Sequence, residues 1–78
     1  MWRKFAGPLF HSSMFKLSAN QRLTIQKQIE VIAVDPHETA LNSVVLDDNT
    51  REIEVARVWL RYQIDDKEKR IIFLQASI

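Results

Sequence analysis

Three residues in the second half of the sequence have the chemistry to bind a nucleic acid or a protein: Arg57, Trp59 and Arg61. They occupy alternate positions, and successive side chains of a β-strand point to opposite sides of a sheet. A strand here would present all three on one outward face. An indole can stack on a base while guanidiniums neutralise phosphates, and the same groups are common at protein interfaces. The intervening positions are apolar and would anchor the strand to a core: Val58, Leu60, Tyr62 and Ile64.

Two more arginines, Arg51 and Arg70, are predicted to widen this face, because a hairpin brings the ends of neighbouring strands together. Glu52 and Glu54 would dilute its positive charge. A purely structural interpretation is also open. Arginines often extend over a solvated surface, and Trp59 would then pack against a terminal segment or the core.

The candidate catalytic groups are Arg57, Arg61 and Tyr62. Tyr62 is expected to be a core tyrosine whose hydroxyl lies near the rim of the sheet. Because no acid, base and nucleophile converge in the sequence pattern, a small-molecule enzyme is the least supported function class.

The sequence predicts no metal ion and no cofactor. His11 and His37 have no companion ligands at metal-site spacing, and the aspartate pairs at 47–48 and 65–66 are typical of turns. The absence of cysteine excludes a thiolate metal site, and a single glycine excludes a glycine-rich phosphate loop.

The composition predicts one small globular domain spanning residues 1–78. A formal net charge of +1 provides no overall attraction to nucleic acid, so any such site must be a local patch. The apolar run Ile71–Leu74 is far shorter than the roughly 20 residues of a membrane-spanning helix. With no signal-peptide pattern and no cysteine, we expect a cytoplasmic protein without a membrane partner.

Helical signals dominate the first half of the chain. Pro8 suits a first helical turn, and the pattern predicts a helix over residues 8–16. Ser18 and Gln21 have capping-box spacing and predict a second helix that runs to Val34, where Asp35-Pro36 ends it.

The second predicted helix carries apolar residues on two sides. One stripe contains Ile25, Ile29 and Ile32, whereas Leu23 and Val34 lie elsewhere on its circumference. This pattern predicts that the first helix covers one side and a sheet covers the other.

Strand signals occupy the remainder. Residues 2–6 predict a short edge strand, and residues 41–46, 52–64 and 70–76 predict three more. The apolar positions change from odd to even within 52–64, which predicts a β-bulge near Ala56. The apolar run in the last strand places it in the sheet interior. The expected fold class is α+β, with two N-terminal helices packed on a small twisted antiparallel sheet of three to four strands.

The order of these features resembles the RelE/ParE superfamily of small bacterial toxins. The resemblance runs from about Phe10 to the end of the chain and rests on Phe15–Gln21, Asp35-Pro36 and residues 41–46. Its best segment is Glu54–Asp65, which is similar to a family strand with an arginine, two residues, a tyrosine and then Ile-Asp.

That resemblance implies a toxin paired with a cognate antitoxin protein. In the mRNA-cleaving branch, basic and aromatic side chains on the sheet stabilise attack by a ribose 2′-hydroxyl, whereas the ParE branch acts on DNA gyrase. Two departures favour binding over cleavage here. Trp59 stands where the family arginine is expected, and Gln75–Ile78 stands where nuclease members carry a histidine, tyrosine or arginine.

We therefore predict a toxin-like module that binds RNA or the ribosome. If the module is catalytic, the expected activity is mRNA cleavage. The alternative is a non-catalytic protein-binding module, either gyrase-directed or a degenerate toxin that holds a peptide or a second copy of itself. In both cases the predicted binding residues are the same: Arg51, Arg57, Trp59, Arg61 and Arg70.

Overall fold

The computed structural model describes residues 2–78 and contains two helices and one five-stranded sheet. The sheet order is β1-β5-β4-β3-β2, with β1 parallel to β5 and all other neighbours antiparallel. The predicted α+β class is confirmed, although the sheet is mixed and has five strands. The elements are β1 (Arg3–Ala6), α1 (Pro8–Met14), α2 (Ala19–Val34), a 3₁₀ turn (Thr39–Leu41), β2 (Val44–Val45), β3 (Thr50–Val55), β4 (Val58–Asp65) and β5 (Arg70–Ser77).

The short helix α1 is fixed to the sheet at both ends. The Gly7 amide donates to the Phe73 carbonyl at 2.8 Å, and a Cβ at Gly7 would lie only 3.3 Å from that oxygen. Pro8 occupies the first turn as predicted, while the helix ends at Met14 rather than at residue 16. The ring of Phe10 packs 5.9 Å from the ring of Phe73. This contact places α1 against the inner side of β5.

The capping box predicted for α2 is confirmed. The Ser18 hydroxyl accepts a hydrogen bond from the Gln21 amide at 3.1 Å, and the Gln21 side chain accepts one from the Ser18 amide at 3.0 Å. Two N–H groups that a helix start would otherwise leave without partners are thereby satisfied. The helix ends at Val34, immediately before Asp35-Pro36, as predicted.

The prediction that α2 is covered on two sides is wrong. Ile25 and Ile32 are buried against the sheet, but Leu23 is 51% exposed and Val34 is 67% exposed. The reason is that α1 is short and packs on β5, so no described element covers the remaining side of α2.

The single strand predicted over residues 52–64 is a hairpin. β3 ends at Val55 and β4 begins at Val58, and these two residues pair across a two-residue turn. Ala56 and Arg57 both have positive φ, 53° and 64°, which is the conformation of the preferred two-residue hairpin turns. The chain reversal, and not a bulge near Ala56, accounts for the change from odd to even apolar positions.

A register shift does occur, but in the pairing of β4 with β5. Arg61 pairs with Gln75 and Tyr62 pairs with Phe73, so Leu74 is an extra residue on β5. β5 lies between β1 and β4, as its predicted interior position requires. Ile72 and Leu74 are only half-buried, because the outer side of the sheet is open.

The region predicted as a strand over residues 41–46 is mostly irregular, with only Val44–Val45 in a strand. The turn that follows is as expected. The Asp47 carboxylate accepts from the amides of Asn49 and Thr50 at 2.9 Å and 2.8 Å. These hydrogen bonds hold the pKa of Asp47 below its ordinary value.

Candidate binding face of the sheet

β4 has the two-faced pattern that its sequence predicts. Val58, Leu60, Tyr62 and Ile64 are buried, while Trp59 and Arg61 are exposed on the opposite side. We call the side of the sheet that points away from the helices the outer sheet face. Cross-strand partners share a side, so this face contains Trp59, Arg61, Gln63 and Asp65 of β4, Glu52 and Glu54 of β3, Arg70 and Ile72 of β5, and Arg3 and Phe5 of β1.

Arg57 does not belong to this row, contrary to the prediction from alternation. It is the second residue of the hairpin turn, where it is exposed at the end of the sheet. The neighbouring Ala56 carbonyl accepts a 3.5 Å hydrogen bond from the Gln21 side chain at the start of α2. The turn therefore holds Arg57 at the end of the β3–β4 hairpin, next to the start of α2.

Arg51 lies on the other side of the sheet. It pairs with Tyr62, whose side chain points to the core, and its guanidinium Nη2 is 3.4 Å from Nδ1 of His37. The parity of β3 explains this position, because Arg51 alternates in phase with the core residue Ile53. Arg51 and Trp59 therefore point to opposite sides of the sheet.

Acidic side chains neutralise the arginines at the middle and one end of the outer sheet face. The Arg61 Nε donates to the Glu52 carboxylate at 2.9 Å, and the Arg70 Nε donates to Asp65 at 2.8 Å. The hydrogen bond from Arg70 holds the pKa of Asp65 below its ordinary value, with help from the Glu68 amide. The dilution of charge predicted for Glu52 is thus a direct contact with Arg61.

The far edge of this face adds residues that sequence reasoning did not assign to it. Phe5 lies beside Ile72, and the guanidinium carbons of Arg3 and Arg70 are 5.8 Å and 6.0 Å from the Phe5 ring centroid. These distances allow cation–π attraction. The alternation of Arg3 and Phe5 was the available signal, but only the pairing of β1 with β5 places them beside Arg70.

A shallow hollow of about 280 Å³ lies between the start of α1 and the middle of the outer sheet face. Its surface is mainly apolar, with the Arg61 side chain at its border. Such a hollow suits a flat ring or an apolar side chain, while Arg61 can contact an adjacent charge. It is lined by Gly7, Pro8, Leu9, Arg61, Leu74 and Gln75.

Tyr62 is completely buried, and among the described residues its hydroxyl has no hydrogen-bond partner. Burial raises the pKa of Tyr62, although the nearby Ser43 hydroxyl and the Arg51 charge offset part of that effect. Its ring packs 6.0 Å from that of Phe73. Of the three catalytic candidates, Arg61 lies on the outer sheet face, Arg57 lies at the turn and Tyr62 lies in the core.

His37 has an acidic neighbour from the turn between β4 and β5. The His37 Nε2 and the Asp66 carboxylate lie 2.6 Å apart on the surface. Within residues 2–78, no three histidine, aspartate or glutamate side chains are grouped closely enough to hold a metal ion. No helix in the described part of the chain has both the length and the apolar character needed to cross a membrane.

This chain resembles known proteins in structure and not in sequence. No protein-family model and no curated protein sequence matches the chain. A chain of the intact Escherichia coli RelBE toxin–antitoxin complex superimposes with a TM-score of 0.85 at 15% identity, covering 99% of this chain and 95% of that one.

Two further structures agree. The isolated E. coli RelE toxin gives a TM-score of 0.84 at 14% identity over 99% of this chain and 83% of its own. The archaeal RelE–RelB complex from Pyrococcus horikoshii gives 0.79 at 10% identity over 97% and 92%. This chain therefore has the fold of the RelE toxins.

Proposed function

We propose that this chain is the toxin component of a toxin–antitoxin pair and that its outer sheet face binds RNA at the ribosome. The observation that carries the proposal is a RelE fold over nearly the whole chain, in which no described element covers the sheet surface bearing Trp59 and Arg61. Trp59 is 37% exposed, so part of its indole ring is accessible to a ligand on this face.

The side chains on this face suit single-stranded RNA. Trp59 would stack on an unpaired base, and such stacking contributes about 1–3 kcal/mol per base. Arg61 and Arg3 would contact phosphates, with Arg57 supplying a further charge from the turn. The apolar hollow beside Arg61 would accept a neighbouring base.

Cleavage would require more than binding. Arg61 would stabilise negative charge in the attack of a ribose 2′-hydroxyl, and such electrostatic stabilisation can be large without a metal ion. Tyr62 cannot reach a ligand on this face because it is buried on the opposite side. The proposal therefore assigns RNA binding to the outer sheet face and limits the direct contribution to cleavage to Arg61.

The cognate antitoxin would cover the apolar side of the helices. Solved RelE structures include complexes with RelB antitoxins, and this chain exposes a set of apolar side chains that an isolated small domain has reason to bury. These side chains are Phe15, Leu23, Val31 and Val34.

A second candidate function is protein binding without RNA cleavage, with a target such as gyrase. The pairing of Arg61 with Glu52 and of Arg70 with Asp65 favours it, since an outer sheet face with balanced charges is less attractive to a polyanion. Under this proposal Trp59 would anchor a protein interface.

Induction of the chain in bacterial cells separates these candidates. We expect growth to stop, ribosome-associated RNA to crosslink to the protein, and both effects to be lost in the variant Trp59→Ala plus Arg61→Ala. Lys27→Ala is the matched control, because Lys27 is an exposed cation on α2. Primer extension on induced mRNA reports cleavage.

The opposing result is also defined. Growth arrest that depends on Trp59 while RNA stays intact and uncrosslinked would support the protein-binding candidate. Growth arrest that survives the double substitution would exclude the outer sheet face from either function. Circular dichroism of the purified variants verifies that each remains folded.

A further inference from the structure

The Arg61–Glu52 pair lies at the middle of the outer sheet face, where β3 and β4 are directly paired. The Arg61 Nε is 2.9 Å from a Glu52 carboxylate oxygen, and the Glu52 side chain is only 19% exposed. A partly buried carboxylate is screened less by salt than an exposed one, so this contact is stronger than an ordinary surface ion pair. Glu52 therefore occupies the Nε side of the Arg61 guanidinium, one of the positions that a phosphate oxygen could take.

The next acidic residue on the same strand provides a contrast. Glu54 is exposed, stands opposite Trp59 and takes part in none of the described ion pairs. It has the same charge as Glu52 and lies on the same face, but it does not contact a guanidinium. Of the two glutamates, only Glu52 is paired with Arg61.

We propose that Glu52 is a specificity-determining residue that competes with phosphate for Arg61, an inference that rests on the proposed binding of RNA by the outer sheet face. A phosphate can reach Arg61 only by displacing the Glu52 carboxylate or by lying close to it, and both arrangements oppose binding. Binding of an RNA through its phosphate charges alone is thereby weakened. An RNA that also supplies an unpaired base for Trp59 has an additional favourable contact, so Glu52 increases the dependence of binding on that base.

Substitution of Glu52 tests this competition. The probe is a fluorescein-labelled, single-stranded RNA of about 20 nucleotides, with a duplex of the same sequence as the second probe, measured by fluorescence anisotropy in 50 and 200 mM KCl. Glu52→Gln should tighten binding of the single strand by about 3- to 10-fold at the lower salt concentration. Its log–log salt slope should steepen by about 0.7, the value for one more phosphate contact on a single strand. The relative gain should be larger for the duplex, which has no free base for Trp59.

Glu54→Gln is the matched control, because it removes the same charge from the same face. We expect it to tighten binding by less than about twofold, the effect of long-range charge alone. In an Arg61→Gln background, Glu52→Gln should give no more than the gain of Glu54→Gln. Glu52→Thr, which is neutral and favoured in strands, should reproduce the effect of Glu52→Gln if the first variant folds poorly.

Each other result contradicts the inference in a different way. Equal gains from Glu52→Gln and Glu54→Gln would mean that net charge, and not competition at Arg61, controls affinity. RNA binding by the unsubstituted protein that Glu52→Gln leaves unchanged would overturn the role of Glu52 while the proposed function stands. No RNA binding by any variant would overturn both, and would favour a protein as the ligand of this face.

Discussion

The Ser13 hydroxyl accepts a hydrogen bond from the Ala76 amide at 3.0 Å and so joins α1 to the last strand, 63 positions away in the chain. The same hydroxyl donates to the Phe10 carbonyl at 2.9 Å, so both of its hydrogen-bonding roles are satisfied in a buried position. The contact fixes the helix that borders the hollow on the outer sheet face.

Ser13→Ala should therefore destabilise the protein by about 1–3 kcal/mol, because it leaves the buried Ala76 amide without a partner. Urea denaturation followed by circular dichroism measures this change. Ser12→Ala is the control, since Ser12 is exposed and donates only to the Leu9 carbonyl of its own turn. Similar losses in the two variants would show that the hydrogen bond each serine donates to a carbonyl of its own helix, and not the contact with β5, accounts for the loss.

Substitution of the two residues of the β3–β4 turn should increase the stability of the protein. Ala56 and Arg57 both adopt positive φ, a conformation that costs non-glycine residues about 1 kcal/mol or more. Replacing the pair by Asn-Gly, the preferred sequence for such a turn, should stabilise the protein by about 1–2 kcal/mol and raise its melting temperature.

The single variants of this turn separate stability from binding. Ala56→Asn retains Arg57 and should keep full RNA affinity. Arg57→Gly removes a phosphate contact and should reduce the salt slope of RNA binding by about 0.7. A lower melting temperature in the Asn-Gly variant would contradict the turn geometry.

Stability should fall in acid because of Asp65 and Asp47. The pKa values of both carboxyls are depressed in the folded protein, mainly by Arg70 for Asp65 and by the Asn49 amide for Asp47. Their stabilising effect is present above the ordinary aspartate pKa of 3.8 and is lost as the pH falls through the lower folded values.

Urea denaturation at pH 7 and at successive values below pH 4 measures this loss. In Asp65→Asn and Asp47→Asn, the difference between neutral and acidic pH should be smaller than in the unsubstituted protein. Asp48→Asn serves as the control, because Asp48 accepts none of the described hydrogen bonds. An unchanged pH dependence in Asp65→Asn would show that the Arg70 contact is not maintained in solution.

Tyr62→Phe should leave both folding and activity intact. The Tyr62 hydroxyl is buried with no described hydrogen bond, so removing it relieves an unsatisfied group and should change the free energy of unfolding by 0 to about 1 kcal/mol in the stabilising direction. Growth arrest on induction should be the same as for the original protein. Loss of arrest in a stable Tyr62→Phe protein would restore Tyr62 as a catalytic candidate.

The exposed apolar side of α2 predicts where an antitoxin binds. Val31→Glu should leave thermal stability unchanged within about 0.5 kcal/mol, because the side chain is more than half exposed. It should abolish rescue of growth by a co-expressed cognate antitoxin while toxicity persists. Lys67→Glu introduces the same side chain in the exposed turn between β4 and β5, away from α2, and should retain rescue. Rescue by both variants would place the antitoxin elsewhere.

Local sequence patterns predicted much of the fold. The Ser18–Gln21 capping box, the end of α2 before Pro36 and the alternation along β4 each depend on residues that are neighbours in the chain. The burial of Tyr62 followed from the same alternation. The hairpin at Ala56 was missed because neither turn residue is the glycine or asparagine that marks such turns.

The sequence by itself determined which β4 side chains face the core and which face outward, because strand geometry assigns sides by parity. Only the tertiary structure placed Arg51 on the inner side, set Glu52 against Arg61 and brought Phe5 beside Arg70. These relationships depend on strand register and on the parallel pairing of β1 with β5, which arise from contacts between distant segments. Strand pairing therefore determines which charged residues lie together on the outer sheet face, and so determines the charge of that face.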